Sequence, residues 1–369
     1  MNDETIFGSH RGEGGLSDAQ FALLQELIFA RGPAGVEEEV AVICRRELGK
    51  VCDSVWDDAT GNVIGLIKAG PRGEGASARP PVIVMAHMDE IALIVKRVYG
   101  EGQLRVIKLG GLRPMSFGQV PVDIMGDHGI VPGVLAIGSL HVTKETASLT
   151  NTGHVEGDLD WSDMFITTRL SNEQLRERGV HAGSRVVVGP YARRLFCFED
   201  CIAGHFMDDR ALLLVGFEAM AALKAARESL ARDVYFVCTV KEEVNNAGAH
   251  FAAKALAPEE VVALEVGPIA AEYDTKLNHH PIVLYGDMKG FYSKSLADRL
   301  KAAAEAEGLQ PQLALFENFA SDGSAVHSMG NTGRAGTLCI PTQNTHGFEI
   351  IHRDAIPACA RTLTRYLLS

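Results

Sequence analysis

The amino-acid sequence predicts an α/β protein, with a mixed, largely parallel sheet sandwiched by helices and a small β-barrel-like domain inserted into the chain. Three observations support this fold class. Continuous apolar runs such as VIVMA at 82–86 are typical of strands buried on both faces of a parallel sheet. From about Phe198 onward, apolar strands alternate with helices. Between about residues 100 and 190, short strand-like runs are separated by Gly, Pro and Asp, which is typical of a small β-rich domain.

The elements before the insertion begin with a helix in SDAQFALLQELIFARG, for which Ser17 is a suitable N-cap and Gly32 a suitable end. VEEEVAVICRREL predicts a second amphipathic helix. SVWDDATGNVIGLIKAG predicts two strands around a turn at 60–62, and VIVMA predicts the buried strand that comes next.

The inserted segment contains four strand-like regions, LRVIKLGG, VDIMGDHGIVPGVLAIG, MFITTRL and SRVVVGP, and one helix in SNEQLRERGV. After it, the pattern predicts helices at 210–226, 247–255 and 292–307 and strands at 234–240, 261–266, 312–316 and 336–340. Residues 1–90 and 191–369 are therefore expected to form one discontinuous α/β domain. Residues 91–190 are expected to form an inserted β-rich domain that mediates oligomerisation or acts as a lid.

The composition is that of a globular protein with a sizeable core: 369 residues, of which 46% are hydrophobic and 22% charged. A formal net charge of −12 argues against nucleic acid or an anionic membrane as the main partner. The seven cysteines are scattered without a C-x-x-C pair, and we expect reduced thiols in a cytoplasmic protein. We expect neither a signal peptide nor a membrane-spanning segment.

Acids and histidines recur at one kind of position, the carboxyl ends of the predicted apolar strands. Ligands of open α/β sheets bind outside these strand ends, so residues far apart in sequence are expected to meet in one crevice. The start of a helix in MDDRA, at 207–211, adds two further acids, Asp208 and Asp209, of which Asp208 enters the predicted site. The residues singled out in this way are His87, Asp89, Asp208, Glu242, Glu243, Glu265 and His346.

Two histidines and several carboxylates without cysteine are typical ligands of divalent metal ions. A pair of ions about 3.5–4 Å apart needs a bridging carboxylate and terminal ligands for each ion. One of the adjacent Glu242 and Glu243 would then bind metal, and the other would accept a proton from the attacking water. Asp89 would brace the ring of His87, because side chains two apart on a strand share a face. The ligand set is His87, Asp208, Glu243, Glu265 and His346.

Each of these residues also has a purely structural interpretation. Adjacent surface acids are common, an Asp pair at a helix start is favoured by the helix dipole, and a histidine in QNTHGFEIIH can belong to a loop. The predicted site therefore depends on the conjunction of these residues and on their order along the chain.

The sequence resembles the dinuclear metallo-aminopeptidase family that includes glutamyl, deblocking and tetrahedral aminopeptidases, some members of which are labelled endoglucanases. The resemblance covers nearly the whole chain, from about Leu23 onward, and AHMDE and TVKEEV are its most specific segments. The segments that stand in the family's order are PAGVEEEV, DDATGNVIG, VMAHMDEIALIVKRV, KLGG, MDDRA, TVKEEV and THGFEII.

The resemblance implies a role for each site residue and two divalent ions per subunit, zinc or cobalt. Asp208 would bridge the ions, Glu242 would be the general base and Asp89 its supporting acid. The terminal ligands would be His87, Glu243, Glu265 and His346.

Three positions depart from the family pattern. Glu265 stands where the family usually has Asp, Asn245 where it often has Gly, and His205 where Lys is common. These departures bear on metal affinity and on the choice of substrate.

The expected activity is release of N-terminal residues from peptides with a free N-terminus, by attack of a metal-bridging water that loses its proton to Glu242. The resemblance also implies a homo-oligomer, a dodecamer. The alternatives are a deacylase, a glucanase or an inactive scaffold. A glucanase would leave the histidines without a role, and the insertion lies before Asp208, as in the aminopeptidases, rather than before His346, as in related deacylases.

Overall fold

The computed structural model describes residues 15–70, 79–100, 102–143, 145 and 158–369. Within these residues the chain forms a twelve-stranded mixed sheet and a closed six-stranded barrel. Helices pack on both faces of the large sheet. The predicted fold class, an α/β sheet sandwiched by helices with an inserted β-barrel, is confirmed.

The helices in chain order are α1 (Asp18–Phe29), α2 (Glu38–Val51), α3 (Pro114–Phe117), α4 (Asn172–Glu177), α5 (Met207–Ala225), α6 (Glu242–Asn245), α7 (Ala247–Leu256), α8 (Lys294–Ala306), α9 (Asp322–Ser328) and α10 (Ala355–Leu367). The strands are β1 (Ser54–Asp57), β2 (Val63–Ile67), β3 (Val82–His87), β4 (Ala92–Tyr99), β5 (Gln103–Leu109), β6 (Val120–Gly126), β7 (Gly129–Ala136), β8 (Phe165–Thr167), β9 (Arg185–Val188), β10 (Phe196–Phe198), β11 (Cys201–Gly204), β12 (Val234–Thr239), β13 (Glu260–Pro268), β14 (Ile282–Asp287), β15 (Gly290–Phe291), β16 (Gln312–Leu315), β17 (Arg334–Gln343) and β18 (Glu349–His352).

Four parallel strands form the centre of the large sheet, in the order β12, β3, β13 and β17. Antiparallel strands continue the sheet on both sides, β2 and β1 beyond β12, and β18, β11 and β10 beyond β17. β14 pairs with β17 and carries β15 and β16. Because the central strands run in one direction, their carboxyl ends lie at the same edge of the sheet.

The packing of the central strand β3 explains why its sequence is apolar throughout. Val82, Val84 and Ala86 pack on one face with α1, α2, α5, α8 and α10. Ile83 and Met85 pack on the other face with α7 and α9. Successive side chains of a strand point to opposite faces, so a strand covered on both sides needs apolar residues at every position.

The barrel closes in the strand order β4, β5, β8, β7, β6 and β9, and its strands lie between Ala92 and Val188. A closed barrel leaves no unpaired edge strand, which removes a route to unwanted strand pairing. The helix predicted in SNEQLRERGV is α4, and Ser171 and Gln174 form its capping box. The buried apolar residues of the barrel strands include Leu104, Val106, Val122, Ile124, Val131, Leu135, Ile166 and Val186.

A buried ionic cluster joins the two chain connections of the barrel. Glu90 precedes β4 and Arg193 follows β9, and both arginines, Arg193 and Arg210, donate to the Glu90 carboxylate. Burial raises the pKa of Glu90, but the two arginines outweigh burial and hold it below its usual value. Removing one partner would leave a buried charge uncompensated, so the cluster ties both ends of the barrel to α5. Arg193 also donates to the carbonyl groups of Val188, Ile28 and Ala30.

The ends of α1 show one agreement and one difference with the sequence prediction. Ser17 caps the helix and forms a capping box with Gln20. The helix ends at Phe29 with Ala30 as its C-cap, before the predicted end at Gly32. Gly32 serves a packing role instead, because a Cβ there would lie 2.7 Å from the Arg210 guanidinium.

Two further features concern the cysteines and the lengths of the helices. All seven cysteines, which lie in the described part of the chain, are free thiols. No helix in the described ranges has both the length and the apolar character needed to cross a membrane.

Candidate active site

The predicted site residues meet at the carboxyl edge of the central parallel strands, in a cavity of about 850 Å³. β3 and β13 carry one residue each, the starts of α5 and α6 carry three, and the turn between β17 and β18 carries one. This is the position at which open α/β sheets bind ligands. The predicted residues that line the cavity are His87, Asp208, Glu242, Glu243, Glu265 and His346.

The first group of ligand atoms belongs to His87, Asp208, Asp209 and Glu265, and these atoms lie within 4.8 Å of one another. His87 Nδ1 donates to the main-chain carbonyl of Asp89 over 3.0 Å. A hydrogen on Nδ1 leaves the Nε2 lone pair of a neutral ring available to a metal ion. His87 Nε2 lies 2.8 Å from Asp208 Oδ1, which places a ring nitrogen and a carboxylate oxygen, both candidate metal ligands, side by side.

The second group contains Asp208, Glu243 and His346, whose ligand atoms also lie within 4.8 Å of one another. His346 Nε2 lies 3.4 Å from Asp208 Oδ2 and 3.7 Å from Glu243 Oε1. The other ring nitrogen, Nδ1, donates to the carbonyl of Gly111 over 2.7 Å. Asp208 is common to both groups, with one carboxylate oxygen directed to each.

The electrostatics of the site favour a cation. Burial and neighbouring acids raise the pKa of Asp209 and Glu265 well above the usual value. Burial raises the pKa of Glu243 to about 7. Asp208 is the exception: burial raises its pKa, but His346 and His87 outweigh burial and lower it. Asp209 Oδ1 is buried without a hydrogen-bond partner, which is costly in the absence of a compensating charge. The donor set thus fits divalent metal ions with nitrogen and oxygen ligands.

Glu242 and Glu243, which follow the predicted strand at 234–240, are the first two residues of the short helix α6 rather than part of an extended segment. Lys241 has a left-handed backbone conformation, with φ 60°, and turns the chain from β12 into this short helix. The Glu242 and Glu243 amides donate to the two oxygens of the Asp89 carboxylate, over 2.9 and 3.1 Å. Asp89 therefore braces the His87 ring through its carbonyl and the glutamate pair through its carboxylate.

Glu349 is a site residue that sequence reasoning missed. Its carboxylate accepts from the Asp208 amide over 3.0 Å and from the His346 amide over 2.9 Å. Burial raises its pKa to about 8. A single acid within the apolar run FEII was the available signal.

Asp209 is absent from the predicted ligand set, yet its side chain belongs to the first group. Its Oδ2 accepts from the His87 amide over 2.9 Å.

Two of the departures from the family pattern lie beside these groups. His205 is buried, donates from Nδ1 to the Gly347 carbonyl over 2.9 Å and packs edge-on against Phe348. Asn245 is exposed, and its side-chain oxygen accepts from the Ala247 amide over 3.1 Å, at the start of α7. Glu265, the third departure, remains in the first group.

A mixed α/β sheet with an inserted barrel and an acid-and-histidine cavity at its strand ends defines a class of α/β proteins with a candidate metal site at the carboxyl edge of the sheet. The family described as M42 glutamyl aminopeptidase matches residues 61–362, and the chain belongs to this M42 aminopeptidase family.

Individual relatives agree with this assignment. The chain is 28% identical over 333 residues to FrvX of Escherichia coli (strain K12), covering 88% of each chain. It is 29% identical over 246 residues to the lysyl aminopeptidase of Pyrococcus furiosus, covering 66% of this chain and 65% of that protein.

Solved structures share the fold. The TET aminopeptidase from the marine sediment archaeon Thaumarchaeota archaeon SCGC AB-539-E09 superposes with a TM-score of 0.84 at 24% identity, covering 95% of this chain and 97% of that one. The structure described as the PhTET1-12s dodecamer gives a TM-score of 0.79 at 24% identity, covering 95% and 98%.

Proposed function

We propose that this protein is a dinuclear metal-dependent aminopeptidase that releases N-terminal residues from peptides. The observation that carries the proposal is the position of Asp208, whose two oxygens lie 2.8 Å from His87 Nε2 and 3.4 Å from His346 Nε2. A carboxylate shared between two ligand groups is what a bridged pair of ions requires.

The chain would hold the two ions with the two groups that meet at Asp208. His87 and Glu265 would be terminal ligands on one side, where Asp209 completes the first group, and Glu243 and His346 would be terminal ligands on the other side. Nitrogen and oxygen ligands without a thiolate suit zinc or cobalt. When bound, such ions supply activation of a water molecule and polarisation of the scissile carbonyl.

The protein's own part in the reaction is to orient groups and to move a proton. Glu242 would accept the proton of the attacking water and return it to the leaving amine. Asp89 would keep Glu242 and Glu243 in place through their amides. The free α-amino group of the peptide would be attracted by the acidic cavity wall, which explains why the chain end is the expected substrate.

We propose that the subunit assembles into a homo-dodecamer. The support is the PhTET1-12s structure, which shares the fold and is described as a dodecamer. We also assign the protein to the cytoplasm, where seven free cysteines would stay reduced.

The test is an activity assay on aminoacyl-anilides before and after removal of metal by a chelator, with metal content followed by elemental analysis. We expect activity to disappear when the metal is removed and to return on addition of Zn²⁺ or Co²⁺. The reason is that the bound ions would activate the attacking water, and the ligand side chains alone would not. A peptide with an acetylated N-terminus and a soluble glucan are the controls, and neither should be cleaved. Full activity of the metal-free protein, or cleavage of the glucan, would contradict the proposal.

A further inference from the structure

The side-chain amide of Asn246 lies at the centre of a buried polar network beside Glu242. Its Nδ2 donates to Glu242 Oε1 over 2.6 Å and to Asp322 Oδ1 over 3.0 Å. Its Oδ1 accepts from the ammonium group of Lys289 over 2.7 Å. Asn246 is only 4% exposed, so these three partners account for the polar capacity that its amide must satisfy away from water.

The identity of the three partners allows a single orientation of this amide. An ammonium group can only donate, so the atom that faces Lys289 must be the oxygen. The nitrogen then faces the two carboxylates, which accept. The reverse orientation would place the amide oxygen against two carboxylates and the amide nitrogen against the ammonium. Lys289 therefore determines which atom of Asn246 faces Glu242.

Rigid elements hold the network in place. Asn246 has a left-handed backbone, with φ 54°, between α6 and α7, a conformation that Asn tolerates better than most residues. Asp322 is the first residue of α9, and its Oδ2 accepts from the Thr239 hydroxyl at the end of β12 over 2.6 Å. A side chain tied to two secondary-structure elements can define the position of its neighbour closely.

We propose that Asn246 is a positioning residue that holds the Glu242 carboxylate for proton transfer, with Lys289 fixing the orientation of the Asn246 amide. The hydrogen bond to Oε1 leaves Oε2 of Glu242 to receive the proton of the attacking water. Lys289 lines the same cavity, so the network runs from the substrate side of the cavity to the base. This inference rests on the proposed function, in which Glu242 is the general base.

The test compares Asn246→Asp with Asn245→Asp. Both variants add one negative charge in the same turn, and Asp keeps the size and the left-handed tolerance of Asn. Asn246→Asp replaces the donor that faces Glu242 by an acceptor. In Asn245→Asp the oxygen that caps α7 is retained, so this variant reports the effect of the added charge at the rim of the cavity. Each substitution is made in the wild-type chain and in Glu242→Gln, and kcat, KM and metal content are measured.

We expect Asn246→Asp to lower kcat by roughly 10- to 100-fold, since small displacements of a catalytic group have effects of this size. KM should change by less than about threefold and metal content should not change, because the side-chain hydrogen bonds of Asn246 go to Glu242, Asp322 and Lys289 and not to a proposed ligand. The loss caused by Asn246→Asp should disappear in the Glu242→Gln background. Lys289→Met should lower kcat in the same way, and Lys289→Arg should restore most of it.

Two results would overturn the inference: equal kcat for the two Asp variants, or a loss from Asn246→Asp that persists when Glu242 is already Gln. Loss of metal from Asn246→Asp would also count against it, since the residue would then act through the ions. If Glu242→Gln is itself fully active, Glu242 is not the general base. That result would refute this part of the proposed function, which is a different outcome from a failure of the role proposed for Asn246.

Discussion

At the scale of single residues, the neighbours Glu242 and Glu243 have different surroundings although both amides bind Asp89. Glu243 lies in the group with Asp208 and His346. Glu242 is bound at Oε1 by Asn246. This difference is consistent with the proposed division of roles, in which Glu243 binds metal and Glu242 transfers the proton.

Substitution of each glutamate by Gln should therefore have a different consequence. Glu242→Gln keeps size and hydrogen bonding but accepts no proton, so kcat should fall by roughly 10²–10⁴-fold with metal content near that of the wild type. Glu243→Gln removes a charged ligand, so metal affinity should fall, and excess metal should restore part of the rate. Metal stoichiometry and kcat are measured on the two purified variants side by side.

The reverse pattern, with metal lost from Glu242→Gln alone, would show that the roles are exchanged. Two nearly silent substitutions would mean that the pair is only a solvated turn.

Glu260, at the amino end of β13, is the centre of a second ionic cluster far from the strand ends that form the site. Its carboxylate accepts from Arg232, from Arg299 over 2.5 Å, from Arg334 over 3.0 Å and from the Tyr366 hydroxyl over 2.9 Å. Burial raises the pKa of Glu260, but these partners outweigh burial and lower it from 4.5 to about 2.

A lowered pKa in the folded state makes the contribution of Glu260 to stability dependent on pH. The contribution is complete above pH 4.5 and is lost as the pH falls from 4.5 towards 2, because the unfolded chain binds the proton first. Glu260→Gln should therefore lower the melting temperature at neutral pH, and the difference from the wild type should shrink as the pH falls through this range. Thermal unfolding of the wild type and the variant between pH 7 and pH 3 measures the difference in melting temperature and its dependence on pH.

The matched control is Glu259→Gln, since the Glu259 side chain is 38% exposed and its pairing with Arg334 is at the surface. Exposed ion pairs contribute about 1 kcal/mol or less, so this change should be small. A Glu260 effect that is independent of pH would contradict the assigned pKa.

At the scale of secondary-structure elements, the contact between α5 and β12 depends on Gly216. A Cβ at this position would lie 2.0 Å from the ring of Phe236, which is fully buried. Glycine within a helix usually lowers stability relative to alanine, so its presence here reflects the close approach of helix and strand. The cost of glycine in the helix is offset by the packing that it permits.

Gly216→Ala should therefore destabilise the protein by about 1–3 kcal/mol, the usual cost of overpacking a core. Gly49→Ala is the matched control on α2, since a Cβ there meets nothing within 4 Å. Helix propensity alone predicts that this second change stabilises by about 0.5–1 kcal/mol. The measurement is the unfolding midpoint of each variant compared with that of the wild type. If Gly216→Ala raised the midpoint, the helix would be able to move away from Phe236, and the prediction would be wrong.

At the scale of the whole molecule, the inserted barrel contributes directly to the candidate site. The carbonyl of Gly111, which follows β5, accepts from Nδ1 of His346. The Glu90 cluster joins both barrel connections to α5, whose first turn contains Asp208 and Asp209. The geometry of the site therefore depends on the position of the barrel relative to the large sheet.

The outer surface of the barrel also suits the proposed assembly. Ile107, Ile130 and Val134 are 47%, 37% and 45% exposed on its strands. We expect light scattering to give a mass near twelve times that of the subunit, and Ile130→Glu with Val134→Glu to reduce it, because charges are costly inside an apolar interface.

Val42→Glu is the control for this change, since Val42 is 55% exposed on α2, outside the barrel. It should leave the mass unchanged. A monomeric wild-type protein at working concentration would refute the dodecamer, and an unchanged mass in the double variant would place the interface elsewhere.

The sequence by itself determined the alternation of elements, the presence of the barrel and the meeting of the predicted ligands at one edge of the sheet. Periodicity reports which faces are buried, and parallel strands bring their carboxyl ends together whatever connects them. Motifs such as AHMDE and TVKEEV also indicated the family to which the chain belongs. The short strands β10, β11 and β18 were not predicted, because runs of three or four residues carry too little periodicity.

Only the tertiary structure decided the partners of the site side chains. The Gly111 carbonyl meets His346, Glu349 meets the Asp208 amide, and Lys289 meets Asn246, each across a long stretch of chain. Such hydrogen bonds depend on directions and distances of a few ångströms. A sequence pattern specifies that a residue is buried at a strand end, but the neighbour that it binds there is set by how distant elements pack.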